Sequence, residues 1–355
     1  MKKVMVSTLA ALLVLGGMSA AFAFGKKPES IALLPAMKSE SAATNRIWVG
    51  TFQLAWNDLM DGIVKGPVEF KGYKSRTAKL LNKKSFTTDD ISEDSYYTTY
   101  GEISPELKTK IETAIKEKFD ETSDVLNAID WTPAPEKYLV YAMLKKDFKF
   151  LTAFDKLKPA KFGSNRNKVD YFGIDKNSDK ILRKTVHVMF YNSSRDFAVA
   201  INTQGADVVY LYRTNDDENF DKLYSNMFIK RSEFNGNSDF TDKDELKVPN
   251  INLYKEQSFS ELCGREVKGT KFMIDQALET VDFKMDNEGV KLKSEAVIAT
   301  RMSAMLPPAF FSFSISTSAR LSRMAKTIVH RLSNSCETIF GCCSFTTRMM
   351  LFRTM

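Results

Sequence analysis

The order of patterns along this chain predicts an α+β fold. Helical periodicity dominates the first third of the body, and short β-branched or aromatic runs dominate the rest. No internal repeat interrupts that order, and 43% hydrophobic residues supply material for a sizeable core.

The chain opens on Met1-Lys2-Lys3, an apolar run from Val4 to Met18, and a small-residue site at Ala21-Phe22-Ala23, with polar sequence from Gly25. This pattern predicts a signal peptide over residues 1–23, cleaved near Ala23. The run is short of the roughly 20 apolar residues that a membrane span needs. No cysteine follows the cleavage site to carry a lipid. The expected product is soluble and secreted, periplasmic or held in the cell envelope.

Residues 24–44 read as a polar leader, and the body as one domain over residues 45–308. Trp48, Phe52, Trp56, Leu59 and Ile63 fall at helical spacing and predict a buried helix over 45–63. Leu80-Leu81 suggests a second helix, and a polar loop runs through Asp94. Ser104-Pro105 is a helix start, with Ser as cap and Pro in the first turn; Ile111, Ile115 and Phe119 then mark one apolar face. Pro133 and Pro135 close that region. Strands are predicted at Tyr138–Leu144, Thr185–Tyr191, Phe197–Ile201, Val208–Tyr212, Leu246–Leu253 and Thr280–Met285, with a helix at Phe220–Phe228.

The net charge of +7 suggests a polyanion partner until it is located. Lys2 and Lys3 account for two of these charges. The stretch from Ala309 holds five more, because Arg320, Arg323, Lys326, Arg331, Arg348 and Arg353 face only Glu337. Residues 24–308 are neutral, which argues against nucleic acid as a partner. Residues 309–355 are rich in Ser and Arg and almost free of acids. They are either a basic extension or sequence joined in the wrong frame, and the skewed composition favours the second. Cys336, Cys342 and Cys343 lie there too, leaving Cys263 alone in the body without a disulfide framework.

The most informative segment is 274–308. Val281, Phe283 and Met285 alternate as a half-buried strand would, and Asp286-Asn287-Glu288-Gly289 interrupts them. Alternation then resumes: Val290, Leu292, Ser294, Ala296 and Ile298 are apolar or small, while Lys291, Lys293 and Glu295 are charged. Neighbours in a strand point to opposite faces, so this stretch can enter a sheet with its charges in water. A mobile stretch is expected to end at Pro307-Pro308, which cannot continue a strand.

These residues resemble the serpin family. The likeness rests on the hinge at Phe283–Gly289 and the exit Met305-Leu306-Pro307-Pro308, at a spacing close to that family's reactive loop. Leu246–Leu253, Phe259–Gly264, and Leu139–Leu144 with Phe150 and Phe154-Asp155 are similar to three further strand signatures. The chain departs from the family at Tyr141, where an Asn is usual, at Val290 for the hinge Thr, and at Leu292-Lys293-Ser294-Glu295 for a run of Ala. The closing Arg/Lys-Pro-Phe strand pair is missing after Pro308.

The resemblance implies N-terminal helices on a large, mostly antiparallel sheet plus smaller sheets, without the closing pair. It implies a monomeric, non-enzymatic inhibitor that needs no cofactor or metal. Its partner would be an extracellular serine (or cysteine) protease, elastase- or subtilisin-like by preference. The hinge would be Glu288, Gly289, Val290, Leu292, Ser294 and Ala296, and the scissile region Arg301, Met302, Ser303 and Ala304. The ribbon from Val290 would stay outside the sheet until cut. Val290 and Leu292 are bulkier than the family's residues, and overpacking costs about 1–3 kcal/mol, so a cleavable, non-inhibitory binding or envelope protein of the same fold is the alternative.

Other chemistry reads weakly. His187, the body's one histidine, has no G-x-S-x-G or H-E-x-x-H companion and reads as structural. Asn235–Thr241 has Phe240 where a Ca²⁺ loop needs Gly. Cys263 reads as a buried small hydrophobe.

Overall fold

The computed structural model describes residues 11–14, 31–43, 45–162, 167–303 and 350–354. In chain order these form β1 (Ala11–Val14), β2 (Ile31–Leu34), β3 (Asn45–Val49), α1 (Thr51–Asp58), α2 (Arg76–Leu81), β4 (Tyr96–Glu102), α3 (Pro105–Phe119), β5 (Tyr138–Lys149), β6 (Asp155–Phe162) and β7 (Asn167–Ile174). They continue with α4 (Lys180–Arg183), β8 (Val186–Ser193), β9 (Asp196–Asn202), β10 (Asp207–Arg213), α5 (Phe220–Glu233), β11 (Leu246–Pro249), β12 (Ile251–Ser258), β13 (Phe272–Met285), β14 (Gly289–Met302) and β15 (Met350–Thr354).

Three sheets carry the strands: β12-β13-β14-β5-β4, β2-β3-β1-β15-β10-β9-β8, and β11-β7-β6. Every neighbour is antiparallel except the β2–β3 pair. The fold is α+β, as the sequence predicts.

Helix α3 forms where its signals lie. Ser104 accepts a hydrogen bond from the Leu107 N–H, Pro105 opens the first turn, and Asp120 ends the helix in the left-handed region at φ 54°. Leu107, Ile111, Ile115 and Phe119 bury one stripe against Leu139, Tyr141, Met143, Val297 and Ala299 of the five-stranded sheet. The sheet's opposite face meets α1, buried from Thr51 to Asn57. Several polar groups on α1 find partners: the Gln53 amide nitrogen donates to Asn57 Oδ1 and Leu81 O, and Trp56 Nε1 donates to Asn82 Oδ1, whereas Thr51 Oγ1 and Gln53 Oε1 are buried without one.

Several expectations need correction. The predicted helix over 45–63 is a strand, then α1, then a π-turn at Leu59–Val64. All five residues of β3 are buried, so the strand lacks period-2 alternation and its apolar run falls by chance on a helical period. Within the polar leader, Ile31–Leu34 is a strand with Leu33 and Leu34 buried. Ala11–Val14, inside the segment expected to be removed on export, pairs with β3 and β15. Together β1 and β15 occupy two strand positions between β3 and β10. The remainder of 304–349, including Pro307-Pro308 and the cysteines of the tail, lies outside the described residues.

Candidate strand-insertion site

The site is β14 and the two strands that flank it. β13 delivers the chain into a tight turn at Asp286–Glu288, where Asp286 Oδ1 accepts from the Glu288 N–H at 2.9 Å. Gly289 follows because β5 leaves no room: a Cβ there would lie 2.1 Å from the Phe148 carbonyl oxygen. From Val290 to Met302 the chain pairs with β13, with one register shift between Ile274 and Gln276, and from Gly289 to Ala299 it pairs with β5. Both pairings are antiparallel, so β5 and β13 run in the same direction with β14 between them.

This overturns one expectation. The ribbon beginning at Val290 is not outside the sheet here; it is the central strand of five. Val290, Leu292, Ser294, Ala296 and Ile298 point into the main core at no more than 2% exposure, as their alternation predicts. Each large apolar side chain among them adds about 1.5–3 kcal/mol of burial, which favours this arrangement over an exposed loop. Glu288 is exposed and Gly289 half-buried at the turn. Among the candidate scissile residues, Arg301 pairs with Asp275 at 2.6 Å, Met302 is 49% exposed, and the Ser303 N–H donates to Lys271 O at 2.8 Å. Ala304 lies outside the described residues. Gly289, from the candidate hinge, and Met302, from the candidate scissile region, thus lie at the two ends of one strand, about 44 Å apart at the usual rise per residue.

The opposite face of β14 departs from expectation at two residues, Lys293 in part and Glu295 completely. Lys291 is solvated and pairs with Asp147 at 3.3 Å. Lys293 is mostly covered and reaches Thr122 O at 2.8 Å and Asp124 Oδ2 at 2.9 Å. Burial lowers its pKa, but Asp124 and Glu295 outweigh that and raise it overall. Glu295, expected in water, is fully buried. Its Oε1 accepts from the Asp124 N–H at 2.9 Å and meets Lys293 Nζ at 3.2 Å, and its Oε2 accepts from Ser123 Oγ at 2.5 Å and Tyr141 Oη at 2.8 Å. Burial and then the Glu295 charge push the Tyr141 phenol far above its ordinary pKa. The sequence held the clue in the stripe Ile111, Ile115 and Phe119. A helix with so marked an apolar face must cover something, and it covers this side of the sheet.

A second carboxyl lies on the α1 side. Glu279 on β13 is fully buried; Ser294 Oγ donates to its Oε1 at 3.4 Å, and Oε2 has no hydrogen-bond partner. Burial pushes its pKa well above the carboxylate range, only partly countered by hydrogen bonds from the Phe52 backbone and Ser294.

Elsewhere the residues singled out are quiet. His187 is exposed, with Nε2 3.0 Å from Asn202 Nδ2. Cys263 is half-buried, its thiol pushed up to about 11 by burial and then by Asp275 and Glu261. Among the described residues, no three His, Cys, Asp or Glu side chains cluster to hold a metal, and no helix is long and apolar enough to cross a membrane.

No family profile and no curated protein matches the chain. The solved structures it is similar to are serpins. Reaction-loop-cleaved lamprey angiotensinogen is 13% identical at a TM-score of 0.41, over 55% of this chain and 62% of that one. The chain therefore spans just under two thirds of that relative. The viral serpin CrmA is 9% identical at 0.41, over 66% and 89% of the two chains. Cleaved kallistatin complexed with heparin is 11% identical at 0.40, over 70% and 96%.

Proposed function

We propose that the protein is a suicide-substrate inhibitor of extracellular serine (or cysteine) proteases, working outside the cytoplasm once the leader is cut near Ala23. One observation supports this above the others: β14 fits in register between β5 and β13, which run parallel to each other and have no bond between them. A sheet built this way can hold the segment or close without it. Elementary sheet chemistry allows both, since a parallel pair is itself stable.

In the proposed reaction a protease serine attacks the carbonyl carbon of Ser303, or of Met302. The amine of the next residue leaves, and an ester joins the protease to the new carboxyl end. The freed strand then takes the central position and carries the enzyme with it. The small or unbranched residues at 302–304 suit an elastase- or subtilisin-like pocket, and Arg301 admits a trypsin-like one.

A second reading has its own support. In the uncut chain β14 is already seated, which favours a non-inhibitory binding or envelope protein whose sheet is complete from the start. The two part company on exposure to a protease panel. An inhibitor yields an adduct that survives SDS and carries the mass of both partners. A chain already seated is clipped near Ser303 or spared, gives no adduct, and melts at the same temperature before and after.

A further inference from the structure

A charged side chain fully buried under a helical cover needs a reason, because an unpaired buried carboxylate costs several kcal/mol. Glu295 has four donors, as many as a carboxylate can accept. One, Lys293, is on β14 itself, and Tyr141 is on β5. The other two, Ser123 and the Asp124 N–H, belong to the segment that leaves α3 and crosses the sheet.

That segment is itself built to present them. Ser123 Oγ accepts from the Val125 and Leu126 N–H groups at 3.3 and 3.2 Å while its hydroxyl hydrogen goes to Glu295. Trp131 Nε1 donates to Leu126 O at 2.9 Å, and Lys145 Nζ holds Phe119 O at 2.8 Å and Glu121 at 2.7 Å. Val125, Leu126 and Ile129 seal the apolar side against Tyr141, Val297 and Ala299. Residues 119–131 are therefore a strap over β5 and β14, pinned to β5 at its α3 end by Lys145 and closed on itself at the other by Trp131, with the Ser123 hydroxyl and Asp124 N–H aimed at one point on β14.

We propose that this strap is a carboxylate receptor and that Glu295 is the positioning residue that fastens β14 beneath it. A slip of one residue would bring Ser294 or Ala296 under Ser123 and Tyr141, leaving buried donors unmet, so the contact also fixes register. This rests on the strand-insertion reading. In that sequence the strap yields to admit β14 and then closes on Glu295, which makes insertion hard to reverse.

Hydrogen exchange on the full mature chain tests it. In Glu295→Gln the amides of residues 122–126 should exchange about 10- to 100-fold faster than in wild type, while those of β9 and β10 stay unchanged. Tyr141→Phe should give a smaller effect at the same amides, and the double variant should be no worse than Glu295→Gln alone, because both remove one interaction. Unchanged strap protection, or a loss spread equally over β9 and β10, overturns the proposal. If the glutamine variant does not fold, Tyr141→Phe decides by the same criterion. With a protease that traps wild type, Glu295→Gln should raise the fraction cleaved without trapping, which a merely local loosening elsewhere would not do. Should wild type trap no protease, the inhibitory reading falls while the exchange result still decides the fastening.

Discussion

The two ends of β14 run through the same sheet in different surroundings. From Gly289 to Leu292 only one face is buried: Val290 and Leu292 point inward, and Lys291 is in water, while Lys293 is already partly covered. From Ser294 to Ala299 every residue is buried, because α3 and the strap cover what would otherwise be the solvent face. The first half obeys simple alternation. In the second, polar residues survive only with partners, and Val297 and Ala299 replace the charges. The comparison teaches that the outer face of this strand is solvent at one end and protein core at the other, with Glu295 at the border.

The sharpest way to break that comparison is to exchange the two environments. Val297→Lys would place an ammonium in the apolar cluster under α3, where Val297 is fully buried. We expect a loss of about 4 kcal/mol or more, read as a large fall in the urea midpoint or as failure to fold. Lys291→Val at the open end should be nearly neutral. Similar losses at both positions would mean that the two halves do not differ as described.

The second prediction concerns the face toward α1. Glu279 has a pKa raised well above its unfolded value, chiefly by burial, so the folded protein holds its proton at pH values where the unfolded chain has lost it. Folding then binds a proton, and the stability it carries is complete below about pH 4.5 and falls as pH rises toward the folded pKa. Glu279→Gln cannot ionise. Its stability should match wild type in acid and exceed it increasingly toward alkaline pH. Thermal melts of both proteins across that range check this, and a difference that stays flat with pH would contradict it.

Much of this was legible in the sequence, and the failures have physical causes. Ser104-Pro105 with Ile111, Ile115 and Phe119 announced α3 because capping and amphipathicity are local properties. The inward set from Val290 to Ile298 was legible because period 2 is unambiguous where apolar and charged residues alternate. β3 gives no strand signal in the sequence because burial on both faces erases that period. β6 is silent in the sequence for the opposite reason: Lys156, Lys158 and Lys161 are exposed on an edge strand, Pro159 interrupts it, and the pairing with β7 shifts between Leu157 and Ala160. Glu295 could not be placed from its own neighbourhood at all. Its burial is decided by Ser123, Asp124 and Tyr141, more than 150 residues away.

The gentlest test compares the two lysines on the outer face. Lys291 and Asp147 are both well exposed, at 68% and 48%, and solvent screens such a pair nearly to nothing. Lys291→Ala should change stability by no more than about 0.5 kcal/mol. Lys293 is 16% exposed and is held by Asp124, Thr122 O and Glu295. Removing it strips a donor from a buried carboxylate, so Lys293→Ala should cost about 1–3 kcal/mol. The two substitutions delete the same side chain two positions apart on the same face of one strand, so the lysine's intrinsic contribution cancels in their difference. What remains, measured by chemical denaturation, is the effect of the strap. If Lys293→Ala proves as mild as Lys291→Ala, the covered half of β14 begins after Glu295 rather than at it, and the border drawn through that residue must move toward Val297.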